Sequence, residues 1–140
     1  MPIAAPEIQA FANGFPIAML HWAIALVILI AGVAAYAFLS PHREMAQARD
    51  GNAAAAVSLG GAIITLAIPL AAAVTASAST VEVALWGLSV MVLQLLLSRL
   101  TDMVLRGLPE RIAEGDVAAA WLLVCAKSAL CLVLAAAVAG

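Results

Sequence analysis

Four stretches of this sequence are each long enough and apolar enough to cross a bilayer, and that constrains the fold more tightly than anything else in the chain. A membrane helix needs roughly 20 mainly apolar residues. Residues 17–39, 53–76, 83–105 and 117–139 meet that length. The connections, 40–52, 77–82 and 106–116, are short and polar. Hydrophobic residues make up 66% of the chain and charged residues 10%. A soluble domain is about 45–50% apolar and about 25% charged. A globule of this composition would lack a polar surface, and a disordered chain would need far more polar residues. Six basic and eight acidic residues, net charge −2, offer no basic face to phosphates, so a nucleic-acid partner is excluded. The expectation is an all-α integral membrane protein, one membrane domain over residues 1–140, with the lipid bilayer as its first partner.

A stub containing Pro2, Pro6, Glu7, Asn13 and Pro16 precedes the first span. No Lys or Arg occurs before Arg43, so the first span lacks the basic region of a signal peptide and reads as a retained helix. Arg43 and Arg49 lie between spans one and two. Arg99, Arg106 and Arg111 lie at the end of span three or just beyond it. The positive-inside rule then puts both basic loops in the cytoplasm and both termini on the periplasmic side. Trp22 and Trp86 fall near outer span ends, and Tyr36 and Trp121 near inner ends, where aromatic belts form.

The two basic loops share a pattern. Arg49-Asp50-Gly51-Asn52-Ala53-Ala54-Ala55-Ala56 aligns with Ala113-Glu114-Gly115-Asp116-Val117-Ala118-Ala119-Ala120. Gly51 and Gly115 allow a turn. Asn52 and Asp116 are placed to cap the helices that follow, and nearby acids complement the positive helix end. The alanines permit close helix approach. This makes four helices out of two parallel-oriented two-helix repeats, the first over about residues 16–76 and the second over about 82–139.

These residues resemble a family. Ser40-Pro41-His42-Arg43-Glu44, the run from Gly51 through Gly61, and Ala67-Ile68-Pro69-Leu70-Ala71 are similar to the first half of bacterial inner-membrane proteins of domain-of-unknown-function family 350. Trp86-Gly87, Gln94, and the run from Leu108 through Ala120 are similar to its second half. Two departures stand out. Asp116 stands where the family usually has Asn, and Lys127 lies in a last span that is usually uncharged. The resemblance implies fold and location, and carries no catalytic residues with it.

Enzyme motifs are absent: no phosphate-binding Gly loop, no HExxH, no GxSxG. No cofactor is expected. Cys125 and Cys131 cannot bridge within one helix, no metal spacing exists, and both read as core residues. Lys127 lies about 15 Å into the last span at 1.5 Å per residue, with Gln94 at nearly the same depth in the third. Asp102 is about 12 Å nearer the cytoplasm, so Lys127 has no obvious counter-charge. Three readings stand. Lys127 is neutral, snorkels or bonds Gln94; it faces a wet cavity or an oligomer axis; or a partner protein supplies the acid. On this view Lys127→Leu would stabilise a purely structural protein.

Arg99, Asp102 and Arg106 have spacings that place them on one helical face at the cytoplasmic boundary, as lipid anchors or a gate. Pro69 inside the second span frees the carbonyl of Thr65 and suggests a kink. Ala54, Ser58, Ala62 and Gly60-Gly61 suit close helix packing, within the chain or between chains.

Two functions follow. One is a structural or interaction subunit of an envelope-stress type of assembly, using the loops bearing Pro41, Glu44, Asn52, Pro109, Arg111 and Asp116. The alternative is a channel or transporter component built on Lys127 and Gln94. Four spans are too few to enclose a wide path, so that alternative needs an oligomer. Either way the expected partners are copies of the chain or other subunits of a membrane complex.

Overall fold

The computed structural model describes residues 5–40 and 43–140. Pro2, Pro41 and His42, read above as part of the stub and of a cytoplasmic loop, lie outside them. The helices in chain order are α1 (Pro6–Leu39), α2 (Glu44–Arg49), α3 (Ala53–Ala76), α4 (Thr80–Val104), α5 (Leu108–Ala113) and α6 (Val117–Ala139). There is no strand among the described residues. Helices α1, α3, α4 and α6 are long and apolar enough to cross a membrane. The protein is all-helical and multi-pass.

Helix α1 departs from expectation at its start. The stub is helical from Pro6, and Pro16 lies inside the helix. Pro6 occupies the first turn, where its missing N–H would be unpaired anyway. Pro16 removes a single bond from a long ladder. At 34 residues α1 measures about 51 Å, well beyond the roughly 30 Å of hydrocarbon. Phe11 and Phe15 stack 5.1 Å apart on this projecting part.

The two basic connections are not irregular loops. Each holds a short helix, α2 or α5, ended by a left-handed glycine, Gly51 at φ 94° and Gly115 at φ 92°. The bonds around these glycines correspond. Asn52 N–H reaches Gln47 C=O at 2.9 Å, and Asp116 N–H reaches Arg111 C=O at 2.9 Å. These bonds close the C-terminal turns of α2 and α5. On the opposite side, Ser79 and Glu82 form a reciprocal cap that starts α4: the Ser79 hydroxyl accepts from Glu82 N–H and the Glu82 carboxylate accepts from Ala78 N–H.

Helices α3 and α6 form the most extensive pair in the bundle. Sequence explains it. The buried side of α3 carries Ala54, Ala55, Ser58, Gly61, Ala62 and Thr65, small residues that let a neighbour approach. A Cβ added at Gly61 would lie 2.3 Å from Val124 Cγ2 of α6. The close packing therefore lies within the chain. Gly32 of α1 gives the same room to Met91 of α4. Pro69 is buried inside α3, which continues on both sides of it.

Trp22, Trp86 and Trp121 are exposed, as lipid-facing aromatics are. Tyr36 is not a belt residue: it is buried in the core, because its hydroxyl has polar partners there. Cys125 is exposed rather than core, while Cys131 is buried.

Candidate functional site

The most polar part of the interior lies in the half of the bundle nearest α2 and α5. Lys127 of α6 is 2% exposed, and its ammonium lies 2.8 Å from Asp102 Oδ1 of α4. The charges meet by proximity, since that oxygen accepts no well-directed hydrogen bond. Lys127 Nζ also donates to the Tyr36 hydroxyl of α1 at 3.2 Å, and Tyr36 in turn donates to Glu44 Oε2 of α2 at 3.2 Å. One ammonium, one phenol and two carboxyls thus tie four helices together.

This overturns the expectation that Lys127 has no counter-charge. Axial rise alone separates Lys127 from Asp102, but side chains do not project at right angles. Every Cα–Cβ bond tilts toward its helix N-terminus. Helix α6 starts at the end where α4 finishes, so the two tilts converge, and the four-carbon lysine stem closes the gap.

Glu44 was expected on an accessible loop surface, yet it is buried. Arg43 takes a left-handed conformation, φ 48° and ψ 46°, and Glu44 follows as the first residue of α2. That conformation costs about 1–2 kcal/mol for a residue with a Cβ. Burial pushes the Glu44 carboxyl above its ordinary value near 4.5, against the opposing pull of Lys127 and of the Tyr36 hydrogen bond. Ser58 of α3 adjoins the same carboxyl.

A cleft of about 170 Å³ opens beside the cluster, and Ser40, Glu44, Arg99, Asp102 and Glu110 contribute its polar lining. Glu44 and Asp102 therefore belong both to the cleft and to the buried network. A larger groove of about 470 Å³ runs along α1 and α3. It is lined almost wholly by apolar side chains, with His21 and Thr75 as exceptions, and contains none of the buried ionisable groups, so the smaller cleft is the chemically relevant one.

Other residues singled out from sequence are distributed as follows. Arg99 lines the cleft with Asp102. Arg106 does not share their helical face, because α4 ends at Val104; its Nε donates to Met103 C=O instead. Gln94 is fully buried, and neither of its amide atoms has a hydrogen-bond partner, so it does not bond Lys127. Asn52 Oδ1 accepts from Ala55 N–H at 3.1 Å, and its amide donates to Ile112 C=O and Ala113 C=O at the end of α5. Asp116 Oδ1 accepts from Ala119 N–H at 3.1 Å, and Arg111 pairs with the other oxygen. The Ala119 bond, then Arg111, holds the Asp116 carboxyl below its ordinary value. No cluster of metal-binding side chains occurs among the described residues.

Sequence reasoning missed Tyr36 and Glu44 as members of the site. The signals were a tyrosine within one turn of a span end and an acid opening a run of good helix formers, Glu44-Met45-Ala46-Gln47-Ala48-Arg49.

No curated protein and no solved structure matches the chain. The family described as Domain of Unknown Function (DUF350) matches residues 10–138, nearly the whole chain with its four apolar helices and buried charge cluster. The protein belongs to the DUF350 family.

Proposed function

We propose that the chain is a non-enzymatic structural or interaction subunit of an envelope-stress type of assembly in the bacterial inner membrane. One observation carries this reading. The intramembrane charge of Lys127 is answered inside the chain by Asp102 and Tyr36, beneath a half-bundle filled by Leu66, Leu70, Val83, Val90 and Cys131. A charge held this way locks helices together and is not free to meet a passing ion. The projecting start of α1, with exposed Ile8, Phe11 and Phe15, gives such a subunit an apolar surface beyond the bundle. Asn52 and Asp116 would be equivalent caps of a parallel repeat, with α2 and α5 in the cytoplasm and both termini periplasmic.

The test is purification at native expression level after photo-crosslinking from position 11, together with ion flux in liposomes. Defined crosslinks to copies of the chain or to another membrane protein, with flux no greater than in empty vesicles, are expected. Flux that disappears in a folded Lys127→Leu variant would reverse the choice. Cysteines introduced at the exposed Met45 and Glu114 positions, in a chain lacking Cys125 and Cys131, report topology. Labelling by a membrane-impermeant reagent added outside would overturn the cytoplasmic assignment.

A second reading, a transport component in an oligomer, is favoured by a separate observation: the unpartnered Gln94 amide in the interior.

A further inference from the structure

The buried face of α4 changes character halfway along. From its start that face presents Val83, Gly87, Val90 and Met91; from the middle onward it presents Gln94, Ser98 and Thr101. Asp102 follows, partly exposed, in the wall of the cleft. The polar positions recur at helical spacing, so they form one stripe from mid-helix to the cleft. Thr101 is satisfied locally, donating to Leu97 C=O at 2.8 Å. Gln94 is not satisfied. It is 0% exposed, and both Oε1 and Nε2 lack partners.

A buried group left without a hydrogen bond is expensive, and a primary amide carries two such ends. The replacement of Gln94 by any apolar residue of similar size would remove that cost, so the amide calls for a ligand. Its chemistry selects which. A cation would satisfy Oε1 and leave Nε2 unpaired; an anion would do the reverse. Water donates to one and accepts from the other, and polar interior sites of this kind hold water when several polar partners converge.

We propose that Gln94 is an internal hydration site, supplied from the cleft past Asp102 along the polar stripe of α4. The bundle is then wet from the α2 and α5 side to the depth of Gln94 and dry beyond it, where Met91, Val90 and Gly87 take over. This half-path does not cross the membrane, and it rests on neither functional reading.

Radiolytic hydroxyl labelling tests it, because internal water generates radicals that oxidise the side chains beside it. Met91 lies one turn from Gln94 on the same buried face and is 5% exposed. The full chain in nanodiscs is irradiated and Met91 oxidation is read by mass spectrometry. Wild type should be labelled at Met91. Gln94→Leu, which fills the space with hydrocarbon, should lose that labelling. Gln94→Asn, which keeps the amide and leaves room for water, should retain it. Loss in both variants, equal labelling in wild type and Gln94→Leu, or an unlabelled wild type overturns the proposal. If Gln94→Leu does not fold, water-to-side-chain magnetisation transfer is measured on wild type. The chain has three glutamines, Gln9, Gln47 and Gln94, and glutamine-selective nitrogen labelling with the first two substituted isolates the third. Transfer to the Gln94 amide supports the site, and its absence overturns it.

Discussion

Lys127 and Asp102 hold their charges 2.8 Å apart although they sit at different depths on neighbouring helices. The antiparallel course of α4 and α6 aims the two side chains at each other. A lysine that looked isolated in the sequence is the centre of a four-helix junction.

Lys127→Leu should therefore destabilise the protein, not stabilise it. Removing the ammonium leaves Asp102 facing a desolvated partner site, at a cost of about 3 kcal/mol. Adding Asp102→Asn should recover most of the loss. Denaturant unfolding in detergent of the single and double variants measures this coupling. Additive losses would show that the pair does not interact.

Glu44 should make stability fall as pH rises. Its folded carboxyl binds a proton more tightly than the unfolded one, so its contribution is complete below the ordinary value near 4.5 and is lost as pH climbs through the raised folded value. Glu44→Gln keeps an acceptor for Tyr36 and cannot ionise. It should flatten the decline in unfolding midpoint that wild type shows as pH rises above the ordinary carboxyl value near 4.5. Parallel pH profiles for wild type and variant would contradict this.

Asn52 does two jobs that one substitution cannot mimic. Asn52→Ala removes the cap of α3 and both donations to α5, and should cost about 2–3 kcal/mol. Asn52→Ser keeps a capping hydroxyl and loses the donations without setting a carboxylate against the Ile112 and Ala113 carbonyls, so thermal unfolding should place it between wild type and the alanine variant. Asp116→Ala should lower the unfolding midpoint by removing the cap of α6, and Asp116→Asn, which keeps an accepting oxygen, should lower it less. Since the Asp116 carboxyl is held below its ordinary value near 3.8, its contribution is present above that pH and disappears as pH falls through the folded value.

Gly61→Ala should disrupt the α3–α6 contact. The new methyl would meet Val124 at 2.3 Å, and overpacking of this kind costs about 1–3 kcal/mol. Val124→Ala in the same chain should restore stability. A Gly61→Ala variant as stable as wild type would mean that the two helices can separate without loss.

The sequence by itself determined the four apolar helices, since only a helix can satisfy its own backbone in lipid. It also supplied residues at 52 and 116 whose side chains can accept from the first turns of α3 and α6, and glycines at 51 and 115 that can turn with positive φ. These are local matters, settled by neighbours within a turn. The ends of α3 and α6 were legible for the same reason. Partnership was not. Whether Lys127 meets Gln94 or Asp102 depends on helix direction, rotation and side-chain tilt, which are relations between segments far apart in the chain. The burial of Tyr36 and Glu44 depends on how the short helix after α1 folds back beneath the bundle. Only the tertiary structure joined Lys127, Asp102, Tyr36 and Glu44, because desolvated charges choose partners by distance in space and not by depth along a single helix.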